Sequence, residues 1–541
     1  MSGVGRASVL IGAGTVVSRL TGFVRSAVLV AAIGSIGRAS DAFGVANQLP
    51  NNIYAIVATG LVAAVIVPQI VRASRDPDGG QSFISKLMTL GTVALLAVTV
   101  LATACAPLLV QLYAPSFGPD QFALATAFAY WCLPQILFYG MYALLGETLN
   151  ARRVFGPYTW APIINNVVSI VGFVAFIVLF GGGQSSAIGW TPQMVALLAG
   201  TATLGIVAQT LVLLLFWRRA GLRLRPDFRW RGIGLRHIGR LAGWTFLMVI
   251  VGQLAGIVQS RVLSLATDLG PANFASGNAW LLFMLPYSII VLSIGTPYFT
   301  QLSEHAKAGR HDEVRRDIPQ SIRTLGLFVV VATAGVAAAA VPASRILTTS
   351  ADEAVSSAWL LGAYLISLIP LAVLFVIQRT FYAYDDTRTP FFFTIVQASL
   401  VVITALVAEA LAVGDVIDIT MLASAVALGQ SCATLVQVIV ATWLLRRRLG
   451  NIGVSRWMLA LGRFTLAAIP AGIAGWLVFV WSGGVEGWMV SSQLLGAVGT
   501  GVICAVALVV YVPMLMLLRA PELAPAVAML RRVIPGGMSR D

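Results

Sequence analysis

The chain contains 541 residues, of which 58% are hydrophobic and only 10% are charged, and its formal net charge is +14. Soluble domains average about 25% charged residues, so this composition excludes a soluble globular protein and predicts a polytopic membrane protein. The basic residues lie in short loops between apolar runs and form no nucleic-acid-binding motif, so nucleic acid is not an expected partner. Four cysteines without CxxC spacing and three histidines predict no metal site and no cofactor.

Fourteen apolar segments are long enough to cross a bilayer, which takes about 20 residues per helix. The first, residues 7–33, has a polar centre and no cleavage site after it, so we expect it to remain in the mature protein. We therefore predict an all-α polytopic membrane protein with 14 transmembrane helices. They begin near Ala7, Phe43, Ile84, Asp120, Pro157, Pro192, Leu235, Ala272, Ser321, Ala354, Thr389, Ile417, Leu459 and Ser491.

The positive charges predict the orientation of these helices. With the N-terminus in the cytoplasm, only Arg38 and Arg345 fall in outer loops. Arg19, Arg25 and Arg261 lie within spans, and the remaining lysines and arginines fall in inner loops. Because inner loops are enriched in Lys and Arg, this bias favours both chain ends inside.

Two separated stretches of the chain are similar to each other. "NARRVFGPYTWAPI" resembles "AYDDTRTPFFFTIV", and Pro50 pairs with Pro286 at a similar offset. We predict two six-helix lobes in parallel pseudo-repeat around a central cavity, an arrangement typical of transporters, plus two extra C-terminal helices. The predicted parts are an N-lobe at 1–218, a basic cytoplasmic linker at 219–240, a C-lobe at 241–446, helices 13 and 14 at 447–518 and a cytoplasmic tail at 519–541. The linker is either amphipathic or basic for topology alone.

The first helix carries two arginines in "TVVSRLTGFVRS", although an arginine in hydrocarbon costs several kcal/mol. At 100° per residue its small and polar side chains share an arc of about 120°; they are Thr15, Ser18, Arg19, Gly22, Arg25 and Ser26. Arg19 and Arg25 are about 9 Å apart along the axis, which suits a phosphate or pyrophosphate held by guanidinium groups. The alternative is that both pair with acids elsewhere in the protein.

Two further spans contain polar groups at positions that bear on function. "NQLPNN" in helix two forms an amide-rich kink around Pro50, which is tolerated only against protein or water; a merely structural kink is equally compatible. Helix seven carries Arg261 together with Gln253 and Gln259. We expect Arg261 to be the second lobe's only cation at depth.

At these residues the sequence resembles the lipid II flippases, the MurJ or MviN family of the MOP exporter superfamily. "SRLTGFVRS" is similar to the family's S-R-x-x-G-F-x-R pattern in the first helix. "DAFGVANQLPN" is similar to its D-A-F … P-N second helix and "FYAYDDTRTP" to its F-Y-A-x-x-D-T-x-T-P loop. The similarity runs from about residue 5 to 445, and the form of helix two most resembles actinobacterial members.

The resemblance implies a non-enzymatic flippase in the bacterial inner membrane with a role in peptidoglycan synthesis, the cell wall and cell shape. It would carry lipid II, the undecaprenyl-pyrophosphate-linked precursor, to the outer leaflet by alternating access. The expected partners are lipid II or a related lipid, the membrane, and cell-wall synthesis and division proteins. Arg19 and Arg25 match the cavity arginines that engage pyrophosphate. The substrate-binding prediction also includes Ser18, Gly22, Asp41, Asn51 and Arg261, with no catalytic residue and no metal ligand.

The sequence departs from the family pattern at three places. Two cavity arginines of many members are replaced by Tyr54 and Leu281. Arg261 could compensate for one of them, which is an inference from this chain alone. No acid stands between Leu241 and Ala266 in helix seven, where some members bind sodium, so sodium coupling is not predicted and the driving force stays open.

Three alternatives stay open at this stage. The protein could move another undecaprenyl-linked glycan, or export drugs, although an arginine-rich cavity repels cationic drugs. It could be a non-transporting scaffold of the cell-wall machinery, which would not need polar residues at the level of Arg19 and Arg25. An enzyme is the least favoured, because no nucleophile–base pair, metal cluster or phosphate-binding glycine loop is present in the sequence.

Overall fold

A computed structural model describes residues 3–61, 78, 80–152, 154, 156–223, 225–229 and 235–523 of the chain. Throughout these residues the secondary structure is helical and no strand occurs, which confirms the predicted all-α class. Thirteen helical segments are long and apolar enough to cross a membrane. The predicted span near Phe43 is a helix but is not one of the thirteen, because its Asn and Gln side chains lower its hydropathy. The count of 14 and the orientation stay predictions.

The first compact unit comprises Met1–Asn278 and Ala405–Ala423. Nine helices of this unit are used below: α1 (Gly3–Ile33), α2 (Arg38–Leu61), α3 (Gln81–Ala104), α4 (Ala106–Tyr113), α5 (Pro119–Cys132), α6 (Gln135–Ala151), α7 (Gly156–Phe180), α8 (Pro192–Leu215) and α9 (Leu235–Leu263). Helix α9, which the sequence repeat assigns to the second lobe, packs against α2 and α4 in this unit. A grouping by contact differs from a grouping by repeat, so the lobe boundaries stay a prediction.

The second compact unit comprises Ala279–Thr404 and Ser424–Asp541. The chain continues in order through α10 (Asn273–Pro286), α11 (Ser293–Lys307), α12 (His311–Ala338), α13 (Ala340–Arg345), α14 (Ala351–Leu365), α15 (Leu368–Ala383), α16 (Arg388–Val413), α17 (Leu422–Leu449), α18 (Val454–Trp481), α19 (Trp488–Ser491) and α20 (Gln493–Leu517). A π-helical turn, Tyr287–Leu292, follows Pro286 and joins α10 to α11. A proline removes one hydrogen bond from a helix, and a π-helical turn accommodates that loss.

Local sequence signals account for several helix ends. Gly34 follows α1 with a φ of +82°, a conformation that glycine adopts without steric cost. Helix α8 begins at Pro192 after Thr191, whose hydroxyl accepts a hydrogen bond from the Met194 N–H at 3.3 Å. Ser492 caps α20 in the same way through the Leu495 N–H. Each hydroxyl satisfies one of the amide groups that a helix N-terminus leaves unpaired.

Aromatic side chains form much of the core of the first unit. Phe128 contacts both Phe43 and Trp190 edge to face, at centroid distances of 5.4 and 5.1 Å. Phe176 stacks on the other side of Trp190 at 5.6 Å. These rings join α2, α5 and α7 to the loop before α8, and edge-to-face pairs add about 0.5–1.5 kcal/mol each beyond their buried area.

The two predicted C-terminal helices pack within the second unit. Leu327 of α12, Phe464 of α18 and Tyr511 of α20 belong to one buried cluster. The Tyr511 hydroxyl donates to the Leu327 carbonyl at 3.1 Å, so its polar end is satisfied inside the core. Helices 13 and 14 of the sequence analysis, here α18 and α20, are therefore integral to this unit and not peripheral additions to it.

The described part of the basic linker runs irregularly along α3. The Gln81 amide bonds both backbone groups of Arg223, and Thr89 accepts from the Asp227 N–H at 2.9 Å. The Arg229 side chain donates two hydrogen bonds to the Asp227 carboxylate, and they lower the pKa of Asp227 to about 2. The linker residues from 230 to 234 lie outside the described residues, so the amphipathic interpretation stays untested there.

Arg345 lies in the connection between α12 and α14, the predicted outer loop, and it is buried there by protein. It ends α13 with only 8% of its surface exposed. Its guanidinium donates to the Val490 carbonyl at 2.8 Å and to the Thr348 carbonyl at 2.6 Å. Backbone carbonyls therefore satisfy this cation inside the second unit.

Close packing of α7 on α8 generates a test of this fold. A Cβ on Gly172 would lie 2.4 Å from the Cβ of Thr201, whereas a Cβ on Gly252 in α9 would meet no atom within 4 Å. We predict that Gly172→Ala lowers the unfolding temperature, since overpacking costs about 1–3 kcal/mol, and that the matched Gly252→Ala does not. Thermal unfolding of both variants in detergent measures this. Equal unfolding temperatures would contradict the close contact.

Candidate functional site

The small residues of α1 lie against α7. The Asn166 amide donates to the Ser18 carbonyl at 3.0 Å and to the Thr21 hydroxyl at 2.9 Å. A Cβ on Gly22 would lie 3.5 Å from the Asn166 Nδ2 atom, and one on Gly14 would lie 2.9 Å from Thr159. Small residues every four positions allow membrane helices to pack closely. The structure therefore places Ser18 and Gly22, predicted substrate ligands, at a helix–helix contact.

The two α1 arginines differ in their surroundings. Arg19 is exposed, whereas Arg25 is half-buried and interacts electrostatically with Tyr139 of α6. Among the residues that the structure describes, neither forms a salt bridge. Pairing with internal acids, the alternative weighed from the sequence, is thus not found there. Within the described residues no acid pairs with either guanidinium group, so both can pair with an anion.

Tyr139 interacts electrostatically with Arg25 and belongs to a group of four tyrosines, Tyr54, Tyr139, Tyr142 and Tyr158, which we call the tyrosine cluster. The rings of Tyr54 and Tyr139 stack at 5.7 Å, and those of Tyr142 and Tyr158 stack at 4.9 Å. The Tyr142 hydroxyl also donates to the Tyr158 carbonyl at 2.6 Å. The cluster therefore joins α2, α6 and α7, and its Tyr139 lies near a cation.

Sequence reasoning missed most of this cluster. Tyr139 and Tyr142 are three residues apart in "FYGMYALLGE", a spacing that places both side chains on one face of α6. That spacing was a usable signal, but it does not show which helix the face meets. Glu147 follows on the same helix, is half-buried and interacts electrostatically with Tyr54, Tyr142 and Tyr158. Tyr139 thus interacts with one cation, and the other three tyrosines of the cluster interact with one acid.

The amides of the α2 kink divide into two groups. Asn47 accepts a hydrogen bond from the Gln135 amide at 3.4 Å, and Asn52 donates to the Tyr113 hydroxyl at 3.3 Å. Gln48 and Asn51 are exposed. The kink is therefore held by protein on one side and open on the other, and Asn51 is on the open side.

Asp41 is buried near the start of α2, with 2% of its surface exposed. Its Oδ1 atom accepts a hydrogen bond from the Phe274 N–H, in the first turn of α10, at 2.8 Å. The nearby Gly44 lets Phe274 approach, since a Cβ there would lie 3.1 Å from the Phe274 Cβ atom. Asp41 thus ties two segments of the first unit together.

Arg261 lies in the last turn of α9 and is exposed. It is about 3 Å from the end of α9 along the axis, whereas Arg25 is about 12 Å from the end of α1 at 1.5 Å per residue. Arg261 falls within the candidate membrane span Gly243–Ala266, towards its end, so its depth in the membrane stays a prediction. In the second unit, Leu281 of α10 is half-buried and apolar, as its position in the sequence indicated.

No group of three or more His, Cys, Asp or Glu that could hold a metal ion occurs in the part of the chain that the structure describes. The features found are those of transport: many apolar spans, a cation beside hydroxyl groups within a helical bundle, and helices interrupted by proline. Together they define the class as a multi-span membrane transporter.

Comparison with known proteins gives the family. The model of the family "Lipid II flippase MurJ" matches residues 30–499, so the chain belongs to the MurJ lipid II flippase family of the multi-pass bacterial inner-membrane proteins. A probable lipid II flippase MurJ of Haemophilus influenzae is 26% identical over 408 residues, which is 70% of this chain and 75% of that protein. Arg19 and Arg25 precede the matched range.

Solved structures with a similar fold include a lipid II flippase and transporters of the MOP superfamily. A lipid II flippase MurJ in an inward closed conformation has a TM-score of 0.69 at 18% identity, covering 92% of this chain and 98% of that one. A MATE multidrug resistance transporter of the MOP superfamily is similar in its inward-facing conformation, with a TM-score of 0.64, 15% identity and coverage of 80% and 95%. A MATE transporter of the same superfamily in the outward-facing conformation has a TM-score of 0.58 at 16% identity, covering 82% of this chain and 96% of that one.

The buried Asp41 generates a second test. We predict that Asp41→Ala lowers the unfolding temperature, because a buried N–H left without an acceptor costs about 1–3 kcal/mol, whereas Asp41→Asn keeps an acceptor and loses less. Asn51→Ala, on the open side of α2, is the matched control and leaves stability unchanged. A direct contact of Asp41 with substrate would instead appear as lost lipid II binding in Asp41→Asn at unchanged stability.

Proposed function

We propose that this chain translocates lipid II from the inner to the outer leaflet by alternating access and that its α1 arginines bind the pyrophosphate. Membership of the MurJ family supports the substrate, and the similarity to transporters solved in inward-facing and outward-facing conformations supports the mechanism. The observation that carries the site is that Arg19 and Arg25 have no acidic partner within the described residues, although burying such a charge unpaired is costly.

Arg25 has the surroundings of a pyrophosphate ligand. It is half-buried, so water screens its charge less than at an open surface. Guanidinium groups donate two parallel hydrogen bonds to phosphate oxygens. The Tyr139 hydroxyl lies within electrostatic range and adds a neutral donor, while Tyr54 stacks on Tyr139 and holds its ring. The stacked faces also suit the disaccharide next to the pyrophosphate.

Arg19 and Arg25 do not face the same direction. Six residues rotate a helix by about 240° more than one full turn, so the two side chains differ by about 120° around α1 and by about 9 Å along it. One phosphate cannot bridge both without moving. The arginines therefore act as successive sites: the exposed Arg19, nearer the N-terminal end of α1, binds first, and Arg25 receives the anion afterwards.

The remaining predicted residues take supporting roles in this proposal. Ser18 and Gly22 fix α1 against α7 and so set the direction of both arginines. Asp41 holds the start of α2, and Asn51 stays open beside the kink. Arg261, exposed near the end of α9, would meet the anion at a different level from Arg25. Cell-wall synthesis and division proteins are proposed as partners from the family alone. No covalent step is needed for any of these roles.

Complementation tests the function. We predict that the chain rescues a bacterium depleted of its own lipid II flippase and that Arg25→Ala abolishes the rescue at normal membrane levels. Arg25→Lys should restore part of it, since a lysine keeps the charge but not the two-pronged geometry. Arg38→Ala is the matched control, because its ion pair with Asp268 is half-exposed and such pairs contribute only about 0–1 kcal/mol. Failure of well-expressed wild type in related hosts would favour another lipid-linked glycan or a scaffold role.

The residue at position 54 gives a separate test, in which the binding of lipid II to the purified variants is measured. The Tyr54 ring stacks on Tyr139, so Tyr54→Ala should weaken lipid II binding by about tenfold through lost stacking and packing, which corresponds to about 1.4 kcal/mol. Tyr54→Phe keeps the stack and should bind nearly normally. Tyr54→Arg places a second cation beside Arg25 and should bind lipid II more tightly. If Tyr54→Phe is as weak as Tyr54→Ala, the hydroxyl and not the ring face contacts the substrate.

A further inference from the structure

A basic cavity lies in the second unit. It is lined by the N-terminal ends of α12 and α18 and by the segment that follows α20. Its volume is about 590 Å³. Four arginines line it, together with Asp312 and Glu522; they are Arg315, Arg316, Arg323 and Arg456. The lining therefore has more cations than acids. The tyrosine cluster and the α1 arginines belong to the first unit, so this cavity is separate from the proposed lipid II site.

Two of these arginines have protein partners and two do not. Arg315 donates to the Leu449 carbonyl at 2.7 Å and to the Asp312 carboxylate at 2.9 Å, so its direction is fixed. Arg323 donates to Glu522 at 2.7 Å. Arg316 and Arg456 form no ion pair among the described residues and are exposed. Their donors remain available to an anion inside the cavity.

Glu522 occupies the cavity only in part. Its side chain is 8% exposed, and its Oε1 atom is bound by Arg323. Its Oε2 atom is buried without a hydrogen-bond partner among the described residues, and the Arg463 NH1 atom is 3.9 Å away. A buried carboxylate oxygen normally accepts hydrogen bonds, since leaving it unpaired is costly. One oxygen of this carboxylate is thus paired and the other is not, and Arg316 and Arg456 of the same lining have no acidic partner among the described residues.

The residues that line the cavity indicate which anion would bind there better than the Glu522 carboxylate. Helices α12 and α18 both begin at its wall, and helix N-termini favour anions through their free N–H groups and dipole. Phosphate has more acceptor oxygens than a carboxylate and pairs with guanidinium groups in the same two-pronged way. Pro319 and Leu327 give the cavity an apolar side, as basic pockets for lipid headgroups between membrane helices require.

We propose that this cavity binds a phosphate-bearing anion and that Glu522 competes with it from within the chain. Arg316 and Arg456 supply the donors that Glu522 does not use, and Arg323 exchanges its carboxylate partner for the phosphate. The same chemistry occurs in the headgroup of an anionic phospholipid and in a soluble phosphate or pyrophosphate. Binding links the N-terminal ends of α12 and α18 to the segment after α20, which stabilises the second unit. The inference does not depend on lipid II transport.

Ligand-dependent unfolding of the purified full chain tests the proposal. Protein in phosphatidylcholine nanodiscs is compared with protein in nanodiscs that also contain phosphatidylglycerol, and with protein in phosphatidylcholine nanodiscs given pyrophosphate in the buffer. We expect the unfolding temperature to rise in one of the last two conditions. Arg316→Ala combined with Arg456→Ala should weaken the effect by about tenfold in ligand concentration, the loss expected for hydrogen bonds to charged groups. Both side chains are exposed, so the variant should fold.

Matched variants separate the site from general charge effects. Arg218→Ala combined with Arg219→Ala removes the same charge from the first unit and should keep the full response. Glu522→Gln removes the competing charge and should reach the same response at about one tenth of the ligand concentration. A rise with phosphatidylglycerol alone assigns the site to a lipid headgroup, and a rise with pyrophosphate alone assigns it to a soluble anion. No rise in either condition, equal losses in both double variants, or a weaker response in Glu522→Gln would overturn the proposal.

Discussion

The cost of placing a guanidinium group among apolar helices is the constraint on which this structure depends. The chain meets that cost in two different ways. Arg345 is buried and satisfied by the carbonyls of Val490 and Thr348, so its charge is used entirely within the second unit. Arg25 is half-buried beside Tyr139 and has no acidic partner in the described part of the chain. The first arginine is structural by its contacts, and the second keeps a charge that no acid in the described residues neutralises.

The uncharged polar groups also divide into those that protein satisfies and those that stay exposed. Asn166, Asn47 and Asn52 each bond to a neighbouring helix, and these bonds fix how α1, α2 and α7 lie in the first unit. Gln48 and Asn51 stay exposed on the other side of the same kink. A polar residue inside a membrane protein is therefore not by itself a site. Satisfied groups set geometry, and unsatisfied ones mark where an external partner contributes the missing hydrogen bonds.

The membrane class and the helical segments follow from the sequence because hydropathy over about 20 residues is a local property. The α1 motif also indicated its small and cationic residues, but a helical wheel does not show which neighbour each direction meets. Ser18 and Gly22 therefore lay at the α7 contact and not in an open arc. Arg261 lies near the end of α9, and its depth in the membrane stays a prediction. The tyrosine cluster depends on three helices meeting and had only a weak local signal.

Tyrosine at position 54 changes how an anion would be held at this site. A transporter must bind its substrate and then release it. Each added cation that strengthens binding therefore also slows the release of the anion. Arg25 with neutral hydroxyl donors gives a weaker site than two adjacent guanidinium groups would, because a hydroxyl adds no positive charge beside the anion. Placing Arg19 and Arg25 on different directions of α1 has the same effect, since the anion meets one cation at a time. On the proposed mechanism, the loss of cavity arginines therefore lowers affinity while leaving a path of donors along the first helix.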